Sequence, residues 1–192
     1  KTNLVQSETF DGSYKVVEHL CQLNYKRIGV VTTLNHLASM SERVDAYKYA
    51  LKEFKLPYNR NLVREVPFDA DLKTIKAVLA KLLSSPNGID ALYVTNNKLT
   101  MLCFEALTEM GVRVPFDCAF VSFDDMDYFK YLTPSFTAVK QNVEEMGRVA
   151  VSLLIDEINS NLTENKTKQV VKIKMDLNVR NSCGNMLKRN LL

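Results

Sequence analysis

The sequence predicts an α/β fold built on a parallel sheet, and three observations carry that expectation. Stretches with apolar residues three and four apart alternate with short β-rich runs along most of the chain. The run Ala119 to Phe123 is continuously small or apolar, the pattern of a strand buried on both faces. It passes directly into Asp124-Asp125 and an aromatic loop, F-V-S-F-D-D-M-D-Y-F-K-Y-L-T-P-S-F-T over Phe120 to Thr137. Open α/β sheets bind ligands at the carboxyl ends of their strands, and carboxylates placed there can accept hydrogen bonds from a hydroxylated ligand.

The elements follow in order. A helix is expected near Phe10 to Leu23, with Asn24 beyond it as a left-handed terminator, then a strand over Arg27 to Thr32. A helix over Ser41 to Phe54 and a strand near Leu62 to Val66 come next. Asp71 can cap a helix reaching Ser84, and Pro86-Asn87-Gly88 makes a turn before the strand Ala91 to Thr95. Lys98 to Met110 is helical, with Asn97 as its expected N-cap and Gly111 after its end, and Ala119 to Phe123 is the next strand. Gln141 to Ser160 sets Val143, Met146, Val149, Leu153, Leu154 and Ile158 at helical spacing, so this helix needs a surface to cover. Asn159 to Lys168 reads as an exposed loop leading to a last alternating strand, Gln169 to Val179.

Composition narrows the classes. The 192 residues, 46% of them hydrophobic, are enough for a sizeable core. The 25 basic and 22 acidic residues are interspersed, unlike the dense basic stripe of a nucleic-acid-binding surface. Cys21, Cys103, Cys118 and Cys183 lie far apart with no C-x-x-C spacing, which argues against zinc and fits reduced thiols in a cytosolic protein. The polar start Lys1-Thr2-Asn3 lacks the pattern of an export signal, and no apolar run approaches a membrane span.

Several segments together resemble the LacI/GalR family of sugar-sensing transcriptional regulators. The first is Ser122-Phe123-Asp124-Asp125 followed by Pro134-Ser135-Phe136-Thr137-Ala138-Val139-Lys140-Gln141, similar to that family's Gly-[Tyr/Phe]-Asp-Asp and Pro-x-[Leu/Phe]-Thr-x-[Val/Ile]-x-Gln. Glu145-Met146-Gly147 continues it. Glu18-His19-Leu20 through Arg27-Ile28-Gly29-Val30 resembles the family's helix-to-strand segment, with Asn24-Tyr25 where Gly-His is usual. Val5 to Gly12 is similar to Val-x-x-Asp-Asn-x-x-Gly, and Ser39 to Tyr47 to Ser-x-x-x-Arg-x-x-Gly-Phe.

The resemblance implies a parallel-sheet βαβ sandwich of the periplasmic-binding-protein-like type, in which the chain crosses three times between two subdomains around a ligand cleft. It implies a carboxyl-terminal subdomain over residues 10–139, a helix and strand of a partly absent amino-terminal subdomain over 140–174, and a return over 175–182. The whole protein would be a cytoplasmic homodimer that binds a small sugar-like effector and meets DNA only through a head outside this chain. No metal or cofactor is expected.

The same resemblance assigns effector contacts to Arg43, Asp124, Asn96, Phe68 and Glu8. A guanidinium presents a planar fork of donors suited to vicinal hydroxyls or a carboxylate. Asp124 supplies acceptors, with Asp125 expected to cap or brace the loop, and Asn96 can both donate and accept. Phe68 offers an aromatic face to a sugar ring or, equally, a core side chain, and Glu8 stands at the first crossing. Lys140-Gln141 falls at another crossing, as hinge or as contact. His19 and His36 have no nucleophile motif beside them, and neither a P-loop nor G-x-S-x-G occurs, which disfavours catalysis. The alternatives are a solute-binding protein for transport or a membrane sensor, and an α/β enzyme using Asp124 and Arg43.

Overall fold

A computed structural model describes residues 2–33, 38–84, 87–159 and 168–189. His36, Lys1, Pro86 and residues 160–167 of the expected loop lie outside them. The elements are β1 (Leu4–Ser7), α1 (Thr9–Gln22), β2 (Ile28–Thr33), α2 (Ala38–Glu53), β3 (Val63–Val66), α3 (Leu72–Leu83) and β4 (Ala91–Val94). They continue with α4 (Asn97–Glu109), β5 (Ala119–Phe123), β6 (Thr137–Lys140), α5 (Val143–Asn159), β7 (Val170–Ile173), β8 (Asp176–Asn178) and α6 (Asn185–Arg189).

Six strands form the larger sheet in the order β3-β2-β4-β5-β6-β8, all parallel except β8, which runs antiparallel to β6. Register brings Val31, Val94, Ser122 and Ala138 into one row near the carboxyl ends of β2, β4, β5 and β6. Strand side chains alternate faces, as period two requires. Val30, Tyr93, Val121 and Val139 meet α1 and α2, whereas Val31, Leu92, Phe120 and Ala138 meet α3 and α4. On the second face Phe104, Phe120, Phe129 and Phe136 pack in tilted and edge-on pairs with centroids 4.7–6.0 Å apart.

Two tyrosine hydroxyls inside this core are paired. Tyr47 donates to the Ile28 carbonyl at 2.8 Å and Tyr93 to the Ser13 hydroxyl at 2.9 Å. Asn24 and Gly111 follow α1 and α4 with φ of 62° and 72°, the left-handed conformation expected of them.

Several expectations change. Leu4–Ser7 is a strand, which four residues of mixed polarity did not announce. Thr137–Lys140 is also a strand, concealed inside the loop-to-helix motif. The single strand expected over Gln169 to Val179 divides: β7 pairs in parallel with β1 in a separate two-stranded sheet, while β8 joins the larger sheet. The break falls at Met175, fully buried against Gly12, where an added Cβ would stand 2.8 Å from the Met175 sulfur. The helix expected from Gln141 begins at Val143. Asn96, not Asn97, caps α4, because its side chain is the one placed to accept from the Leu99 amide in the first turn.

The return after β8 clamps the sheet. Arg180 binds both oxygens of Asp125 at 2.7 and 2.8 Å, and Asn178 donates to the same carboxylate at 2.7 Å. Ser182 accepts from the Thr137 amide and donates to the Phe120 carbonyl. Asp125 therefore braces the loop to the return segment, and it is not the cap of the following turn. By contrast α5 packs on β1 and has no fully buried residue, with Val143, Leu154 and Ile158 exposed.

Two outcomes follow from this packing. Arg180→Ala strands a carboxylate that is only 6% exposed, so it is expected to cost about 3 kcal/mol in urea unfolding. All four cysteines are free and buried, and burial pushes the Cys21 thiol up to about 11 and the Cys118 thiol to about 12. A disulfide reagent at pH 8 is expected to leave them unreacted in the folded chain and to count four thiols after unfolding.

Candidate ligand-binding site

The strand order reverses direction at β2 and β4: the chain leaves β2 outward to β3, then returns to β4 and proceeds the other way. That reversal opens a crevice at the carboxyl ends of the strands, the position where doubly wound sheets hold ligands. Arg43, near the start of α2, reaches into this region. Its Nη1 donates to the Thr95 carbonyl just after β4, and its guanidinium carbon lies 3.7 Å above the Phe123 ring at the end of β5.

An arginine on a helix ordinarily pairs in solvent with a nearby carboxylate, here Glu42 or Asp45. Asp45 instead pairs with Lys48 at 2.9 Å, and Arg43 is 6% exposed. Its Nε is buried with no partner among the described residues. Burial holds the guanidinium pKa below its ordinary value, while Tyr93, Asp124 and Glu42 act in the opposite direction. The result is a charge supported by one carbonyl and one aromatic face, with donor capacity in reserve.

Asp124 follows β5 directly. Its Oδ1 accepts from Gln141 Nε2 at 2.6 Å. Ser122, which stands where the family has glycine, donates to the Asp124 carbonyl at 3.2 Å and meets the Thr100 hydroxyl at 2.7 Å. Thr100 also reaches the Asn96 carbonyl at 2.7 Å, so two hydroxyls link the loops after β4 and β5. Asn96 commits its Oδ1 to the Leu99 amide at 2.9 Å, leaving its amide hydrogens for a ligand or water.

Phe68 lies beyond β3 and is not a core residue, since it is 70% exposed. Lys98 donates to its carbonyl at 2.8 Å and sits 4.5 Å from the ring centroid, tying the loop after β3 to the first turn of α4. Glu8 is separate from these in the chain. It lines a cavity of about 440 Å³ at the first crossing with Ser7, Thr9, Asp11, Glu42 and Lys172. A second cavity, about 240 Å³, lies at the other crossings between Gln141, Glu144 and Asp176.

Sequence reasoning had marked Arg43, Asp124 and Asn96 but passed over Thr95, Phe123, Ser7 and Lys172. The first two belong to strands whose composition announces only burial. Nothing in the local sequence singles out Lys172 on β7. Among the described residues no group of His, Cys, Asp and Glu is arranged to hold a metal ion, and no helix is long and apolar enough to cross a membrane.

Hydrogen-bonding groups gathered at a switch point, next to a cleft where the chain passes between two sheets, suit reversible capture of a small polar ligand. Comparison with known proteins agrees. A family model described as a periplasmic binding protein-like domain matches residues 17–183, and the chain belongs to that family. It is 28% identical over 157 residues to the HTH-type transcriptional repressor PurR of Haemophilus influenzae strain PittEE, covering 82% of this chain and 46% of that protein. A protein of Sanguibacter keddieii described as a LacI-family transcriptional regulator superposes with a TM-score of 0.82 at 26% identity, covering 95% of this chain and 67% of that one. A complex of the transcriptional regulator CelR with cellobiose gives 0.80 at 26% identity, covering 94% and 54%. The motif resemblance to LacI-type regulators is thus borne out, and the chain spans about half the length of the curated relatives it matches.

Because the Arg43 charge is buried with no ion-pair partner among the described residues, it is expected to work against stability. Arg43→Met should leave stability unchanged or raise it, by up to about 2 kcal/mol in urea unfolding. A loss above about 1 kcal/mol would make Arg43 part of the scaffold instead.

Proposed function

We propose that this chain is the effector-binding part of a LacI-type transcriptional regulator, taking a neutral sugar in the crevice between its two sheets. The observation that carries the reading is Arg43: a guanidinium at the switch point, 6% exposed, with Nε unpaired. A ligand hydroxyl that accepts from Nε would satisfy a donor that the described residues leave open there. Asp124 would take hydroxyl protons from the same ligand, Asn96 would bridge a further hydroxyl, and Phe68 would cover an apolar ring face. Glu8 would border the ligand at the crossing.

Neutrality is supported by a near balance of charge: Asp11 in the cavity lining is paired with Lys15 at 2.7 Å, and the remaining Glu8 and Glu42 stand against Lys172 and the Arg43 guanidinium of the same proposed site. A sugar is supported further by the cellobiose carried by the CelR structure. Regulation, in preference to transport or catalysis, is supported by relatives named as transcriptional repressors and regulators.

The domain reading follows the same line. Residues 10–139 and 175–182 would form one subdomain, and 140–174 would contribute a helix and strand to another. Further polypeptide would complete that second subdomain, cover the exposed side of α5 and carry the DNA-binding head. In a cytoplasmic homodimer, effector would shift the relative orientation of the subdomains and hence of the two heads.

Calorimetric titration with neutral pentoses, hexoses and disaccharides, beside sugar phosphates and uronates, tests the ligand class. A neutral sugar is expected to bind, and Arg43→Ala to weaken it at least tenfold with an unaltered circular dichroism spectrum, the loss of about one charge-assisted contact. Unchanged affinity removes Arg43 from the site, and binding of anionic members alone removes the neutral sugar.

A further inference from the structure

Where the two sheets exchange the chain, one side chain touches both. Gln141, between β6 and α5, donates from Nε2 to Asp124 Oδ1 at 2.6 Å and accepts at Oε1 from the Ser7 hydroxyl at 2.8 Å. Ser7 is the last residue of β1 in the small sheet, and Asp124 follows β5 of the larger one. The Ser7 oxygen also lies 3.2 Å from the Met146 sulfur on α5.

The chemistry fixes the direction of this relay. An ionised carboxylate can only accept, so the amide nitrogen must face Asp124, and Oε1 is left for the single proton of Ser7. A carboxamide is a neutral planar group that offers a donor and an acceptor at opposite corners, which is what a bridge between a carboxylate and a hydroxyl requires. All three residues are partly buried, so water competes less for these bonds than on an open surface. Nearby, the Glu8 amide donates to the Ile173 carbonyl at 2.9 Å, so a shift of Ser7 is passed directly to the pairing of β1 with β7.

We propose that Gln141 is a positioning residue that couples ligand capture at Asp124 to the orientation of the small sheet. The inference rests on the binding site proposed above. A carboxylate has about four acceptor positions, so a ligand can donate to Asp124 without displacing Gln141. Its arrival pins the carboxylate in the orientation that Gln141 meets, Gln141 is held against Ser7, and Ser7 carries that order into β1. The relay made and the relay broken are the two arrangements whose balance the ligand biases.

Amide hydrogen exchange in this chain, read at the Glu8 amide, tests the relay without requiring a known ligand. Asp124→Ala, which removes the acceptor, is expected to speed that exchange about tenfold when Gln141 is present and less than about twofold in a Gln141→Ala background. Equal effects in both backgrounds overturn the proposal. Gln141→Glu keeps the shape but sets two carboxylates against each other, and it is expected to speed exchange in the same way. Combining it with Asp124→Asn reverses donor and acceptor and is expected to restore protection. A side chain that merely fills space would show no such rescue, and failure of the rescue sinks the relay. If no sugar binds the unmodified chain, the site reading fails while the exchange cycle still decides the coupling. If one binds, it should protect the Glu8 amide only when Gln141 is present, and protection that persists in Gln141→Ala counts against the proposal.

Discussion

The constraint on which the rest depends is that the larger sheet is covered on both faces. Ile28, Val30 and Val31 on β2, all of β4 and all of β5 are essentially without solvent contact. Such a sheet has no room for polar chemistry on its faces, so function can only sit at strand ends. The amino-terminal edge is closed: the Asp90 carboxylate accepts from the Lys26 and Arg27 amides at 3.1 and 3.0 Å, and its carbonyl accepts from the Ala119 amide. The carboxyl-terminal edge is where Thr95, Asn96, Phe123 and Asp124 emerge, and the reversal of strand order leaves a gap between them.

Two arginines at that edge show how structure and function divide the same chemistry. Arg180 grips both oxygens of Asp125 and the Phe136 carbonyl, so its desolvation is offset by close, well-oriented partners. Its role is complete within the protein. Arg43 lies on one carbonyl and one ring, and burial lowers its pKa, only partly offset by the charges of Tyr93, Asp124 and Glu42. A fold does not retain such a group for stability, since an apolar side chain of the same volume would pack there at lower cost. A ligand that supplied the missing acceptor, as proposed above, would account for the asymmetry.

Much of this was legible in the sequence, for identifiable reasons. The central strands β2, β4 and β5 are runs of four to six buried residues and helices carry apolar stripes, so β2, β4, β5, α1, α3 and α4 announce themselves by period. β1 and β7 do not, because each is half exposed and pairs only with the other, 166 residues away in the register Leu4 to Val170. The break at Met175 depends on contact with Gly12 and is invisible to local pattern. At the site, Arg43 and Asp124 were found through motif spacing. The partners that define their chemistry, Thr95, Phe123 and Ser7, required the fold, because a backbone carbonyl, a core aromatic and a lone serine have no sequence signature.

The small sheet is the part whose energetics do not close. Two four-residue strands make a sheet that is marginal in isolation, and α5 covers it with a helix that buries no residue completely. The apolar side chains left over on α5, Val143, Val151, Leu154, Ile155 and Ile158, call for a partner surface. Relatives about twice as long as this chain have polypeptide available to supply one. What joins the small sheet to the rigid one is three chain crossings and a few polar bonds: Ser7 to Gln141 to Asp124, Glu8 to Ile173, and Lys15 to the Met175 carbonyl. A junction built from hydrogen bonds, with few interlocked side chains, can change its angle by exchanging partners without opening a core. The rigidity of the larger sheet and the looseness of this junction are therefore complementary: the first would hold the proposed ligand groups in place, and the second would let their occupancy be felt elsewhere.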